Sequence, residues 1–246
     1  MKGFLQLTWM EVKLFIREWQ AVFFTFIFLP MLLFLFGLVS KNDPSMDLKG
    51  FGSVDIMLPG FIAIGIAANA FFTIGGVLAS YRERGILRRF QVTPLRPLGV
   101  LAAQVLVAYA MTLLSGIILM LLGKVSFGLR IAGDPLTMLV AFTIGSLSFF
   151  SFGFLLGGLF KTARVSYSVN TTIFFPMIFL SGAALPVAMP SFMEGASKFI
   201  PLTYVVNLLK DAWLGRGLEV SWPNILFLVI FCGICVVLSA KAFRWD

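Results

Sequence analysis

The residue types that usually carry catalysis are sparse in this chain. It has no histidine, and its two cysteines, Cys232 and Cys235, form a Cys-x-x-Cys pair inside an apolar run. A serine–histidine triad is therefore excluded, and apolar packing is the favoured role of the cysteines. The nearest approach to a phosphate-binding loop has Ile118 where a glycine is needed and Val125 where Ser or Thr is needed. We expect neither an enzyme active site nor an ATP site of this type in the chain.

The one dense cluster of charged residues is YRERGILRRFQVTPLRP, residues 81–97, with five arginines and one glutamate in 17 residues. Three interpretations are open. Basic residues beside apolar segments can set membrane topology, or they can attract anionic lipid. A helix of mixed apolar and charged residues can instead dock on a protein partner, which also accounts for Glu83 and Gly85. We expect a short surface helix over 81–92, ended by the prolines that follow.

The elements that must position this cluster are membrane helices. Of the 246 residues, 59% are hydrophobic and 12% charged, and the mean hydropathy is +0.99. A soluble domain would carry about a quarter charged residues. Six segments reach the roughly 20 apolar residues that a membrane crossing needs, and none contains Asp, Glu, Lys or Arg. They are residues 21–40, 56–79, 98–122, 135–160, 165 to 186 or 189, and 223–240.

The charges between these segments predict an orientation. If the N-terminus is cytoplasmic, the inner segments carry 12 basic and 4 acidic residues, and the outer segments carry 7 of each. The whole net charge of +8 then faces the cytoplasm, in agreement with the positive-inside rule. Anionic lipid accounts for this surplus, so no nucleic-acid partner is needed. We therefore expect a multi-pass protein of the cytoplasmic (inner) membrane with both termini inside.

Two further elements are expected outside the spans. Residues 1–20 place polar and apolar side chains on separate sectors at helical spacing, which predicts an interfacial amphipathic helix. This helix is either an anchor or a mechanical elbow that contacts a cytoplasmic partner. The external segment 187–222 contains a second apolar helix over 203–214. It is too short and too charged to cross the membrane, so we expect it to dip into the outer leaflet.

Glycines recur at spacings that bring helices close together. Gly75-Gly76 lies in the second span, and Gly153-x-x-x-Gly157-Gly158 lies in the fourth. Small residues four positions apart allow close helix contact in membranes, so structural packing is their favoured role.

The polar residues at membrane depth are neutral. Ion-coupled transporters usually keep an ionisable residue there, and the spans hold none. We therefore expect the pathway of a hydrophobic or amphipathic cargo beside these neutral groups. An ion-coupled secondary transporter, and a membrane lipid enzyme or scaffold, remain the alternatives. The predicted pathway residues are Asn69, Thr73, Asn170, Thr171 and Thr172.

Four short motifs occur in a characteristic order on the six spans. They are LPG at 58–60, ERGILRRFQVTP at 83–94, FFPMIFLSG at 174–182 and PLTY at 201–204. In this combination they resemble the type-2 ATP-binding-cassette (ABC) exporter permeases, a family that includes the daunorubicin-type drug permeases. The resemblance covers nearly the whole chain.

The resemblance implies a fold and a mechanism. The fold is a single permease domain over 1–246 with six transmembrane helices and short re-entrant helices between the last two. Two permeases, expected here as a homodimer, work with two separate ATPase subunits that bind ATP and Mg²⁺, so this chain needs no cofactor. The exported cargo would be a drug, lipid, peptide or glycoconjugate.

The resemblance also implies which residues contact the ATPase. The segment 81–97 would be the coupling helix, seated in a cleft of the ATPase. A turn after the fourth span would make a secondary contact. The docking residues implied are Glu83, Arg84, Gly85, Leu87 and Arg88, with Lys161 and Arg164 in the secondary contact.

Overall fold

The computed structural model describes residues 2–40, 42–44, 50–86, 97–160, 162–184 and 195–242. All regular secondary structure in these ranges is helical, and the fold is therefore all-α, as predicted. The principal helices are α1 (Lys2–Arg17), α2 (Trp19–Ser40), α3 (Ser53–Glu83), α4 (Pro97–Phe127), α5 (Pro135–Leu159), α6 (Ala163–Leu180), α7 (Pro201–Trp213) and α8 (Trp222–Ala242).

Five of these described helices are long and apolar enough to cross a membrane: α2, α3, α4, α5 and α8. They correspond to five of the six predicted spans and identify a multi-pass membrane protein. The remaining predicted span, the fifth along the chain, corresponds to α6, which has 18 residues and a more polar sequence.

Helix α3 lies at the centre of the bundle. It packs against α2, α4, α5, α6 and α7. Its most apolar stretch of 18 residues is buried along the whole length. Phenylalanines from three helices form one cluster around it. Phe72 of α3 stacks on Phe24 of α2 with ring centroids 4.9 Å apart, and Phe174 of α6 meets Phe72 edge-on at 5.2 Å. The core therefore surrounds the helix that leads into the charged segment.

Two helices contain π-helical segments, Phe23–Phe28 in α2 and Asn69–Gly75 in α3. The segments contact each other, because the side-chain Nδ2 of Asn69 donates a hydrogen bond to Thr25 Oγ1 at 3.0 Å. Such segments interrupt the regular α-helical bonding pattern and often occur at functional sites. Hydropathy carries no information about them, and they are absent from the sequence-based expectations.

A buried carboxylate organises one end of the bundle, here called the Asp55 end. Asp55 accepts hydrogen bonds from Asn42 Nδ2 at 2.9 Å, from the Gly52 amide at 2.8 Å and from the Arg130 amide at 3.0 Å. These bonds join the start of α3 to the connection between α2 and α3 and to the connection between α4 and α5. Because three donors bind it, this carboxylate is stabilised within the fold.

Several predicted boundaries need correction. The amphipathic segment 1–20 ends at Arg17, since Glu18 is extended and α2 begins at Trp19. The fifth predicted span ends at Leu180 instead of 186 or 189, and the turn that follows contains Gly182 with a φ of +70°. A left-handed glycine commonly ends a helix in this way.

The short helix predicted within segment 187–222 is present as α7, which begins two residues before the predicted start at 203. It packs against α3, α5 and α8, and most of its apolar residues are buried in the protein. Residues 185–194 of the same segment lie outside the described residues.

Candidate coupling site

Helix α3 ends at Glu83, and the chain turns at Arg84 and Gly85. The Gly85 amide donates to the Arg82 carbonyl at 3.0 Å, and Gly85 has a φ of +63°. This left-handed conformation favours glycine and commonly follows the end of a helix. The predicted surface helix over 81–92 is therefore wrong at its start, because its first three residues complete α3.

The last residues of α3 are bonded to the connection between α5 and α6. Glu83 Oε2 accepts a hydrogen bond from the Ala163 amide at 2.9 Å, in the first turn of α6. A carboxylate is favourable there, since the amides of a helix N-terminus carry partial positive charge. The Arg82 guanidinium donates to the carbonyls of Gly158 and Phe160 at the end of α5. We call this end of the bundle the Glu83 end.

Two acid–tyrosine pairs attach the N-terminal helix to the same end. The Tyr81 hydroxyl donates to Glu11 Oε1 at 2.8 Å, and the Tyr167 hydroxyl donates to Glu18. Glu11 is buried at 4% exposure, and burial raises the pKa of its carboxyl above the usual range, while the bond from Tyr81 acts in the opposite direction. Helix α1 is therefore connected to α3, and its junction with α2 is connected to α6.

The structure brings several of the predicted docking residues together. Glu83 and Arg84 are exposed at the end of α3, Gly85 is half-buried, and Arg164 is exposed one residue after the partner of Glu83. The primary and secondary contacts implied by the resemblance thus meet at one end of the bundle. Leu87, Arg88 and Lys161 lie outside the described residues.

Three of the predicted pathway residues are buried in contacts between helices. Asn69 and Thr73 bond each other at 2.9 Å, within the π-helical part of α3. Asn170 of α6 donates to the carbonyl of Phe71 at 2.7 Å. On α4, Gln104 donates to the same segment, 3.4 Å from the carbonyl of Thr73. These amides satisfy the backbone of a segment whose regular bonding is interrupted, which is a structural role.

The other two predicted pathway residues have a different environment. Thr171 is half-buried and Thr172 is exposed, and each hydroxyl bonds a carbonyl one turn earlier in α6 at 2.8 Å. Thr172 also lines a cavity of about 310 Å³, together with Phe152 and Pro201. The five predicted residues thus differ in burial, with three enclosed by the protein and two nearer the surface of α6.

Sequence reasoning missed the acids and tyrosines that attach α1. One signal was available. Acidic residues are scarce on the side that carries the basic surplus, and Glu11, Glu18 and Glu83 are three of the four there. All three accept hydrogen bonds at the Glu83 end. An acidic residue in a region that is otherwise basic is a candidate for a specific hydrogen bond within the protein.

The described residues contain no group of His, Cys, Asp or Glu that could hold a metal ion. Hydrogen bonds of Arg82 and Glu83 connect the exposed end of α3 to α5 and α6 of the helical bundle. The family model for ABC-2 type transporters matches residues 2–214. The chain therefore belongs to the ABC-2 type transporter family. A comparison with curated proteins found no match.

Proposed function

We propose that this chain is the permease subunit of an ATP-driven exporter that moves a hydrophobic or amphipathic molecule across the cytoplasmic membrane. ABC-2 permeases work with ABC ATPase partners in general. In this proposal two copies of the chain pair with each other, and each carries one ATPase subunit that binds ATP and Mg²⁺. The Glu83 end faces the cytoplasm, together with both termini.

The observation that carries the proposal is the attachment of the exposed Glu83–Gly85 turn to three helices. The turn directly follows α3, the central helix, and Arg82 and Glu83 bond it to α5 and α6. A displacement applied to this turn by an ATPase would move these helices together. Domain-scale switching of this kind needs a rigid connection between the driven segment and the helices that open.

The proposal includes α6 as a sixth span. At 1.5 Å per residue its 18 residues extend about 27 Å, close to the roughly 30 Å of a bilayer core. Six crossings return the C-terminus to the side of the N-terminus and place the Glu83 end on the side with the basic surplus. The positive-inside rule supports this orientation.

The proposed cargo class follows from the polar side chains at membrane depth, which are uncharged. Asn69, Thr73 and Asn170 already use hydrogen bonds within the protein. The exposed side of α6 around Thr171 and Thr172 is the better position for a cargo contact. A drug, lipid, peptide or glycoconjugate with an apolar part suits this surface better than a hydrated ion does.

An ion-coupled secondary transporter is the alternative. Such a transporter needs an ionisable group that binds and releases the coupling ion, and Asp55 at the start of α3 is a buried carboxylate that could do so. Asp55 is fully buried, and three hydrogen bonds to Asn42, Gly52 and Arg130 hold it. This favours a structural role over reversible ion binding.

The test is the ATPase activity of the complex assembled in nanodiscs from this chain and a co-expressed ABC ATPase subunit. Glu83→Ala removes the bond to α6, and Gly85→Pro is incompatible with the φ of +63°. We expect both variants to insert normally and to lose most of the ATPase stimulation and export. Gly217→Pro is the matched control, because Gly217 has a φ of +77° and lies beyond α7. Normal stimulation in both Glu83→Ala and Gly85→Pro would refute the docking assignment.

A further inference from the structure

A lateral cavity of about 350 Å³ lies near the Asp55 end, between α3, α4, α5 and α7. Its volume is in the range of pockets that hold small molecules. Its inner wall is buried, whereas Ile117 and Leu139 at its rim are 44% and 43% exposed on the apolar outer surface. The cavity thus opens between α4 and α5 toward the membrane. Its lining includes Ile62, Gly116, Met120, Met138 and Trp213.

One polar group in the cavity wall has no partner. Trp213 is 2% exposed, and its indole Nε1 makes no hydrogen bond within the described chain. A buried N–H in an apolar pocket is costly unless an acceptor reaches it, and a tryptophan typically finds one. Trp213 lines the cavity, so an acceptor on a molecule bound there would satisfy this N–H.

A cation lies beside this group. Lys210 precedes Trp213 by three residues, so the two side chains are neighbours on α7. Lys210 is partly buried, and burial lowers the pKa of its ammonium group. The adjacent carboxylate of Asp211 is engaged by Arg216 and Ser221, and the described residues place no anion in a salt bridge with Lys210.

We propose that this cavity binds one acyl chain of an anionic phospholipid, with an oxygen of the lipid accepting from Trp213 and the phosphate lying near Lys210. The apolar walls, the lateral opening, the N–H of Trp213 and the ammonium group of Lys210 each match one part of such a molecule. The site is separate from the Glu83 end and does not depend on the proposed function. It identifies a lipid as a bound component of the protein.

Gly116 provides a way to fill the cavity without disturbing the fold. A β-carbon at Gly116 would meet only Ile62, at 4.0 Å, which is ordinary contact. Gly116→Leu therefore projects a side chain into the space proposed for the lipid. Gly233→Leu on α8 is the matched control, since a β-carbon at Gly233 has no neighbour within 4 Å and this residue does not line the cavity.

The experiment uses the full chain in nanodiscs of phosphatidylethanolamine doped with phosphatidylglycerol that carries a diazirine in one acyl chain. After irradiation, adducts are mapped by mass spectrometry. We expect adducts on Met120 and Met138 above those on the exposed Leu121, and their loss in Gly116→Leu but not in Gly233→Leu. Equal labelling in Gly116→Leu and the unaltered protein, or a cross-link to a second copy in place of lipid, would overturn the proposal.

Two conservative variants test the polar contacts. Trp213→Phe keeps an aromatic ring and removes the N–H, and we expect labelling to fall about fivefold, as for one lost hydrogen bond. Lys210→Gln should lower labelling by phosphatidylglycerol to that given by a diazirine-bearing diacylglycerol, which has no phosphate. If both variants retain full labelling by phosphatidylglycerol, the assignment of a phospholipid is wrong.

Discussion

Helices α3 and α8 are both long and strongly apolar, yet they occupy opposite positions in the bundle. The most apolar window of α3 is 100% buried, whereas that of α8 is 11% buried. Helix α8 has the higher hydropathy of the two, 2.4 against 2.0. Hydropathy therefore identifies a membrane helix without indicating whether it faces protein or lipid.

Small residues distinguish the two helices. In the contact between α3 and α5, a β-carbon at Gly153 would lie 2.2 Å from the carbonyl oxygen of Ala70, and one at Gly157 would lie 2.7 Å from that of Gly75. The predicted packing role of these glycines is thus confirmed. On α8, a β-carbon at Gly233 would meet nothing within 4 Å. Close backbone contact through small residues makes α3 the central helix.

The largest effect is expected when this contact is broken. Gly153→Leu forces α5 away from the Ala70 carbonyl, since backbone atoms cannot move aside locally. Overpacking of this kind should cost about 3 kcal/mol, a fall of about 6–12 °C in Tm. Thermal unfolding in detergent measures it. Gly233→Leu should stay within about 0.5 kcal/mol of the unaltered protein, and an equal loss in both variants would contradict the comparison.

A smaller effect is expected at the π-helical segment of α3. Asn170→Leu leaves the Phe71 carbonyl without its 2.7 Å interhelical bond, which should cost about 1–2 kcal/mol. Thr172→Val, on the exposed side of α6, removes a bond only to the carbonyl of Ser168 in its own helix. We expect this control to change the free energy of unfolding by less than about 0.5 kcal/mol. If Thr172→Val is the more damaging change, the structural role of Asn170 is wrong.

The smallest effect concerns the attachment of α1 to α3. Because burial raises the folded-state pKa of Glu11, the folded protein binds this proton more tightly than the unfolded chain does. The contribution of Glu11 to stability should therefore be greatest at low pH and be lost as the pH rises through the raised pKa, with no further change above it. Glu11→Gln still accepts from Tyr81 without a buried charge, so it should remove this dependence. We expect a difference on the order of 1 kcal/mol at neutral pH, measured as Tm from pH 5 to pH 8.

The control for this experiment is the pH profile of the unaltered protein, because the other carboxyl groups titrate equally in the unaltered protein and in Glu11→Gln. Only the difference between the two profiles reports on Glu11. Parallel profiles would mean that Glu11 has an ordinary pKa in the fold.

The sequence predicts the helical architecture well because charges are excluded from apolar runs. Five predicted spans match helices α2, α3, α4, α5 and α8. The small-residue motif of α5 also pointed to its contact. By contrast, the π-helical segments depend on side chains of other helices, such as Asn170 and Gln104, which bind their carbonyls. No local pattern encodes such long-range bonds.

The same limitation applies to the predicted pathway residues. A neutral amide at membrane depth either lines a pathway or binds the backbone of a neighbouring helix, and composition does not separate these roles. Asn170 makes a bond of the second kind, to the Phe71 carbonyl, whereas Asn69 donates to the Thr25 hydroxyl and to the Gly65 carbonyl of its own helix. The arginines mark the charged segment in the sequence, whereas the end of α3 at Glu83 depends on the left-handed Gly85 and on the bond to Ala163.

The most direct test of the central claim is a cross-link between the Glu83 end and the ATPase. In a chain with Cys232 and Cys235 replaced by serine, Arg84→Cys would carry a benzophenone, and Glu219→Cys would carry it at an exposed position beyond α7 as the control. After irradiation of the complex in nanodiscs, we predict a cross-link to the ATPase from position 84 and none from position 219. No cross-link from position 84, or an equal yield from position 219, would contradict the proposal that an ATPase drives this protein through the end of α3.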